Sequence, residues 1–153
     1  MPIRIEKTLS LSSVGADLVV LPLHAKTMQK PLTLHPSLRE LCIYSYPLAY
    51  SYYKNKEANN ELSKGDILYL ERIEDTPVAI MVARGDIRRK FDMHSVLKCI
   101  KEMQALGLHN KYTIAFPALG RYDEDRISIK NVYNAVKRML GNGSKTVHFV
   151  LNY

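Results

Sequence analysis

The stretch Tyr112-Thr-Ile-Ala-Phe-Pro-Ala-Leu-Gly-Arg-Tyr-Asp-Glu-Asp-Arg126 decides how this chain folds. From Thr113 to Leu119 every residue but Thr113 is apolar or proline, the pattern of a strand covered on both faces in a layered α/β sheet. Pro117 cannot donate to a ladder, so the chain leaves the sheet there. Gly120 permits a tight turn or a close backbone approach. Ser128 is placed to cap a helix whose apolar residues Ile129, Val132, Tyr133, Val136, Met139 and Leu140 follow helical spacing. In many α/β folds a strand, a short loop and a helix N-terminus form an anion site, because free N–H groups and the helix dipole converge. A plain βα connection with a charged surface loop is the alternative for the same residues.

Two other apolar segments also end in polar loops. Leu18 to Leu23 predicts a second buried strand, leaving through His24-Ala-Lys-Thr-Met-Gln-Lys30. Ile67 to Ile73 and Pro77 to Val82 predict an antiparallel hairpin, and its second strand runs into Arg84-Gly-Asp-Ile-Arg-Arg-Lys90, the densest basic run. A short strand is expected to begin over Ile3 to Ile5, with Thr8 to Val14 as its second half or an edge connection, and a final strand over Thr146 to Leu151. One helix should begin at Pro36 and carry Leu38, Leu41, Cys42 and Ile43, break or kink at Pro47, and continue over Leu48 to Tyr53. Another should run from an Asp92 cap to Leu106, with Met93, Val96, Leu97, Ile100 and Met103 on one face and Gly107 as its stop. Tyr44, Tyr46, Tyr50, Tyr52 and Tyr53 invite a base-stacking reading, but their helical setting favours a packed or half-exposed aromatic helix.

This alternation predicts one domain over residues 1–153, a three-layer α/β/α sandwich with a mixed β-sheet. Ligands in such sheets collect outside the carboxyl ends of the strands. If the three strands are parallel neighbours, Lys26, Lys30, Arg84, Arg88, Arg89, Arg121 and Arg126 rim a single crevice for an anion.

A formal charge of +7 agrees with an anionic partner, without choosing among nucleotides, nucleic acid and phosphorylated surfaces. Zinc-finger, helix-turn-helix and RNP-like patterns are missing. Cys42 and Cys99 lie in apolar patterns and read as reduced core thiols; no metal-ligand spacing and no cofactor motif is present. The longest apolar runs are strand-sized, so the expectation is a cytoplasmic protein with no membrane partner. Oligomeric state is left open.

From Gly65 onward the chain resembles a macrodomain, the ADP-ribose-binding α/β/α module. Phe116-Pro-Ala-Leu-Gly120 is similar to the family's (hydrophobic)-Pro-x-Ile-Gly strand, which opens onto the phosphate-binding loop. Asp125-Arg126 resembles the Asp-Arg pair of the branch that removes ADP-ribose from nucleic acid and acidic side chains. Gly65-Asp-Ile-Leu-Tyr-Leu, the strand Val78 to Val82 and the helix of Val96 to Met103 follow the same order. Where that branch places a lysine nucleophile this chain has Arg84, whose guanidinium stays protonated and cannot attack a sugar carbon. The family's Gly-rich loop is replaced by Thr27-Met-Gln-Lys-Pro-Leu-Thr.

The resemblance implies an ADP-ribose-like nucleotide as ligand, with ADP-ribosylated nucleic acid or protein as partners. In its enzymatic form, ADP-ribosyl hydrolysis, Asp125 (or Asp123) is the acid and Arg84 neutralises charge. Ligand contacts then fall to His24, Lys26, Ala118, Leu119, Gly120, Arg121, Tyr122 and Asp123. A catalytically inactive nucleotide- or nucleic-acid-binding macrodomain, or a scaffold, is the alternative.

Overall fold

The computed structural model describes residues 3–25, 36–85, 91–121 and 127–153. Their strands are β1 (Ile3–Ser10), β2 (Leu18–His24), β3 (Ile67–Leu70), β4 (Val78–Arg84), β5 (Ile114–Pro117) and β6 (Val147–Asn152). They form a mixed sheet in the order β1-β6-β5-β2-β4-β3. Every pairing is parallel except the β3–β4 hairpin, where Leu68 faces Ile80 and Tyr69 faces Ala79.

Alternation along the strands divides the core in two. Leu18 and Val20 of β2 and Ala79, Met81 and Ala83 of β4 join one cluster, beneath α3 (Met93–Ala105) and α5 (Ile129–Leu140). Val19, Leu21 and Leu23 of β2 and Val78, Ile80 and Val82 of β4 join the other, beneath α1 (Pro36–Glu40) and α2 (Pro47–Ala58). With helices on both faces, the central strands must be apolar on both sides, and the expected three-layer α/β/α sandwich is what forms.

Local signals set the helix starts. Ser128 Oγ accepts from Asn131 N at 3.3 Å, and Asp92 Oδ1 accepts from His94 N at 3.0 Å. The Asp92 carboxyl is disfavoured by partial desolvation, yet hydrogen bonds from Ser95 and His94 N, with Lys64 nearby, outweigh this and lower its pKa. A lowered native pKa stabilises the fold above the unfolded carboxyl's pKa, and the contribution vanishes as pH falls through the lowered value. Asp92→Ala should therefore cost about 1 kcal/mol at neutral pH. Its deficit relative to wild type should shrink in urea titrations taken to strongly acid pH.

Pro47 has no N–H and sits at the first position of α2, as expected. The segment before it departs from the expected α-helix. Leu41–Ser45 is a π-helical turn closed by Tyr46 N to Leu41 O at 3.1 Å. Tyr46 gives α2 no side-chain cap; instead Glu74, from the hairpin connection, accepts from Leu48 N and from Ala49 N (2.9 Å). An anion at a helix N-terminus is doubly favourable there. Glu74→Ala should lower stability by about 1 kcal/mol, measured by denaturant midpoint, and Glu74→Gln by less.

Further differences are in extent. β1 runs to Ser10, β5 is confined to Ile114–Pro117, and β3 ends at Leu70, leaving a longer connection to β4. A short α4 (Leu108–Lys111), absent from the sequence reading, follows Gly107, whose φ is +69°. The tyrosines divide by helix face: Tyr46 and Tyr53 are buried, Tyr50 is half-buried, and Tyr44 is 80% exposed. Cys42 and Cys99 are free and buried, and burial pushes both thiols up to about 12. Among the described residues no helix is long and apolar enough to cross a membrane.

Candidate functional site

The strand order answers the geometric question posed by the three polar loops. β5, β2 and β4 are adjacent and parallel, with Leu18 opposite Ile114 and His24 opposite Arg84, so all three loops leave the same rim. β6 and β1 run parallel to them and end on that rim too.

At the centre lies the exit of β5. Ala118 N continues the ladder to Val150 O at 2.8 Å, and Arg121 N closes a turn onto Ala118 O at 3.2 Å. Ala118 and Leu119 are buried, whereas Arg121 is exposed. Gly120 has φ +97°, and a Cβ there would lie 2.6 Å from both Ile127 O and Ile129 N. The loop therefore presses its backbone against the capped N-terminus of α5, an approach only glycine allows. Backbone N–H groups of the turn and of the helix start are brought together where the dipole of α5 favours an anion.

Beside this loop, β2 ends at His24 and β4 at Arg84, and Ala25 N donates to Arg84 O at 3.0 Å. Arg84 is 7% exposed, and its guanidinium carbon lies 4.4 Å from the centre of the Phe91 ring. It is a buried, stacked cation at the rim rather than a solvated loop charge. His24 is tied to α2: Nε2 is 2.9 Å from Glu57 Oε2, and the Tyr53 hydroxyl bonds to the His24 backbone. Glu57 also accepts from Tyr53 (2.9 Å) and Lys54 Nζ (2.8 Å).

Glu57 falls in the charged, Asn-rich stretch Lys54 to Lys64, whose composition by itself reads as a helix end and loop. Ala49, Tyr53 and Glu57 are spaced by four, however, and that spacing puts the carboxylate on the buried face of α2. A second feature was also missed. A cleft of ≈ 430 Å³ opens at the ends of β1 and β6, between Ser10, Ser12, Asn152 and Tyr153 on the sheet side and Leu41 and Tyr44 on the helical side. This volume is in the range of small-ligand sites. Its walls come from opposite ends of the chain, which no local pattern could join.

Of the predicted site residues, His24, Arg84, Ala118, Leu119, Gly120 and Arg121 share this rim. Lys26, Lys30, Arg88, Arg89, Tyr122, Asp123, Asp125 and Arg126 lie outside the described residues. Among the described residues no group of His, Cys, Asp and Glu is placed to hold a metal ion.

No protein-family profile matches the chain, and no curated protein matches it in sequence. Solved structures do match in fold. The macrodomain of Thermus aquaticus DarG superposes with a TM-score of 0.75 at 13% identity, covering 97% of each chain. Thermosipho africanus DarTG in complex with ADP-ribose gives 0.69 at 12% identity over 88% of this chain and 37% of that one. A Trypanosoma brucei macrodomain in complex with ADP-ribose gives 0.60 at 13% identity, over 99% of this chain and 64% of that one. Strand order, helix layers and these superpositions agree: the chain has the macrodomain fold.

Proposed function

We propose that this chain recognises ADP-ribose, or a close nucleotide relative, along the carboxyl rim of its sheet. The observation that carries the reading is the packing of the Gly120 turn onto the N-terminus of α5, between the cleft at β1 and β6 on one side and His24 and Arg84 on the other. The turn and helix N–H groups take the diphosphate, and the exposed Arg121 adds charge. The cleft takes the nucleoside, with Tyr44 available to stack on a base. Two solved structures of the same fold, named above, hold ADP-ribose, which supports the choice of ligand.

Hydrolysis of ADP-ribosyl groups on nucleic acid or protein is the enzymatic version of this reading, with Asp125 or Asp123 as the acid. The burial of Arg84 against Phe91 favours the alternative, a binding module without a covalent step, because a stacked guanidinium stabilises charge but cannot serve as the nucleophile. Calorimetry and thermal shift with ADP-ribose test recognition; bound ligand at a hundredfold excess over Kd adds about 2.7 kcal/mol to stability. No heat and no shift would remove the reading. Incubation with ADP-ribosylated DNA and protein then separates the two versions by release of ADP-ribose or its absence.

A further inference from the structure

The sheet has two edges, and the one at β1 is eight residues long against four at β3. Among the described residues β1 pairs with β6 alone, through Ile3, Arg4, Ile5 and Glu6, before its register shifts between Glu6 and Ser10. That shift turns the far half of the strand off line and leaves Ile3 to Glu6 as an open edge. Ile5 is 49% exposed there, and the Arg4 side chain 70%.

Hydrogen bonds on the far side of β6 fix which groups of β1 look outward. Ile114 N donates to Thr146 O at 3.0 Å and Ala118 N to Val150 O at 2.8 Å, so those two carbonyls face β5. Backbone groups alternate along a strand, which turns Phe149 toward β1. Phe149 lies opposite Ile5, and in a parallel ladder it bonds to the residues on either side of its opposite number, Arg4 and Glu6. Ile3 and Ile5 therefore point their N–H and C=O groups away from the sheet, with no strand among the described residues to receive them.

A second copy of this chain is the partner whose charges match. Two identical edges pair antiparallel about a two-fold axis perpendicular to the sheet, so the axis passes through a residue and opposes residues of like parity. An axis at Arg4 sets arginine on arginine, one at Glu6 glutamate on glutamate, and one at Lys7 lysine on lysine, each unfavourable. An axis at Ile5 sets Arg4 of each copy opposite Glu6 of the other on one face, and packs the two Ile5 side chains on the other face. The two Ile5 residues then exchange both of their outward backbone bonds. Glu6 Oε1 is already 2.8 Å from His148 Nδ1 and 3.9 Å from its own Arg4 Nε, so the carboxylate is held in place for the second guanidinium.

We propose that this chain self-associates through the β1 edge, with Ile5 on the two-fold axis, into one continuous twelve-stranded sheet, six strands from each copy. The strands are antiparallel across the join, so the two carboxyl rims face opposite ways. Each copy keeps its cleft open at Ser10, beyond the paired segment. The inference goes beyond the nucleotide reading and does not depend on it.

Sedimentation of the full chain from about 1 to about 300 µM, with amide hydrogen exchange at both ends of the range, tests it. The mass should rise toward that of two chains. The Ile5 amide should pass from fast exchange to protection as it does so, while the Arg4 and Glu6 amides, bonded to β6, stay protected throughout. Arg4→Glu and Glu6→Arg should each weaken the dimer about tenfold or more by setting like charges across the join. An equimolar mixture of the two should restore it, because every facing pair is then of opposite sign. Ile5→Pro removes the outward N–H without taking a bond from β6 and should leave a monomer. A dimer whose Ile5 amide stays in fast exchange, or a mixture no tighter than its components, would overturn the inference. So would a chain that is monomeric throughout, and the edge would then be left for an extended segment of another protein. Should Glu6→Arg fail to fold, Ile5→Pro and the wild-type exchange profile decide.

Discussion

Gly120→Ala is expected to abolish nucleotide binding and to lower stability by about 2–3 kcal/mol, the combined cost of a strained left-handed residue and an overpacked contact. At φ +97° a side chain is already disfavoured, and its Cβ would sit 2.6 Å from two backbone atoms at the start of α5. Neither neighbour is a flexible side-chain end that can swing aside, so the turn itself has to move. The N–H groups that the reading assigns to the diphosphate then lose their common focus. Gly65→Ala is the control: Gly65 has the same φ, but the new methyl would meet chiefly the Lys98 side chain, which can yield, and it adjoins the edge strand β3, three places along the sheet from β5 and its Gly120 turn. Urea denaturation and calorimetry on the two variants should give similar strain but different ligand affinity. Retained binding in Gly120→Ala would mean that the turn does not hold the diphosphate.

The second large effect belongs to Glu57. Its alanine variant should lose about 3 kcal/mol, because removing one member of a buried charged network leaves the others without their partner. His24 Nε2, the Tyr53 hydroxyl and Lys54 Nζ all converge on this carboxylate. Burial, with Glu57 beside it, holds the Tyr53 hydroxyl pKa above its ordinary range, so the phenol remains a donor. For a chain of this length the loss corresponds to a Tm lower by about 6–12 °C. Lys54→Ala should cost less than about 1 kcal/mol, since the Lys54 side chain is 46% exposed and its ion pair is partly screened. A Glu57→Ala variant as stable as wild type would show that the carboxylate is not the hub of α2 and β2.

Much of this architecture could be read from residue order alone. The apolar runs before His24, Arg84 and Gly120 identified the covered strands, and Ser128 and Asp92 marked two helix starts that the hydrogen bonds bear out. Proline at position 47 gave the break between helices, because a missing N–H is a local property. Strand adjacency was only conditional in the sequence: an apolar run reports burial, and the neighbour of β2 is decided by tertiary packing. The π-helical turn escaped for a similar reason, as its bond from Tyr46 N to Leu41 O is set by how two helical segments meet the sheet. Charge misled at Glu57, which is buried, since a charged residue at a helix end is ordinarily solvated. The cleft at β1 and β6 joins residues near both ends of the chain, a distance that no periodicity spans.

The most direct measurement is an amide chemical-shift map of the full chain titrated with ADP-ribose. Saturating shifts at Leu119, Gly120 and Arg121, at Ile127 to Ile129, and at Ser10, Ser12 and Asn152 would place the ligand across the carboxyl rim, as this account predicts. Shifts confined to the opposite rim, around His109 and Ser144, or no shifts at millimolar ligand, would contradict it.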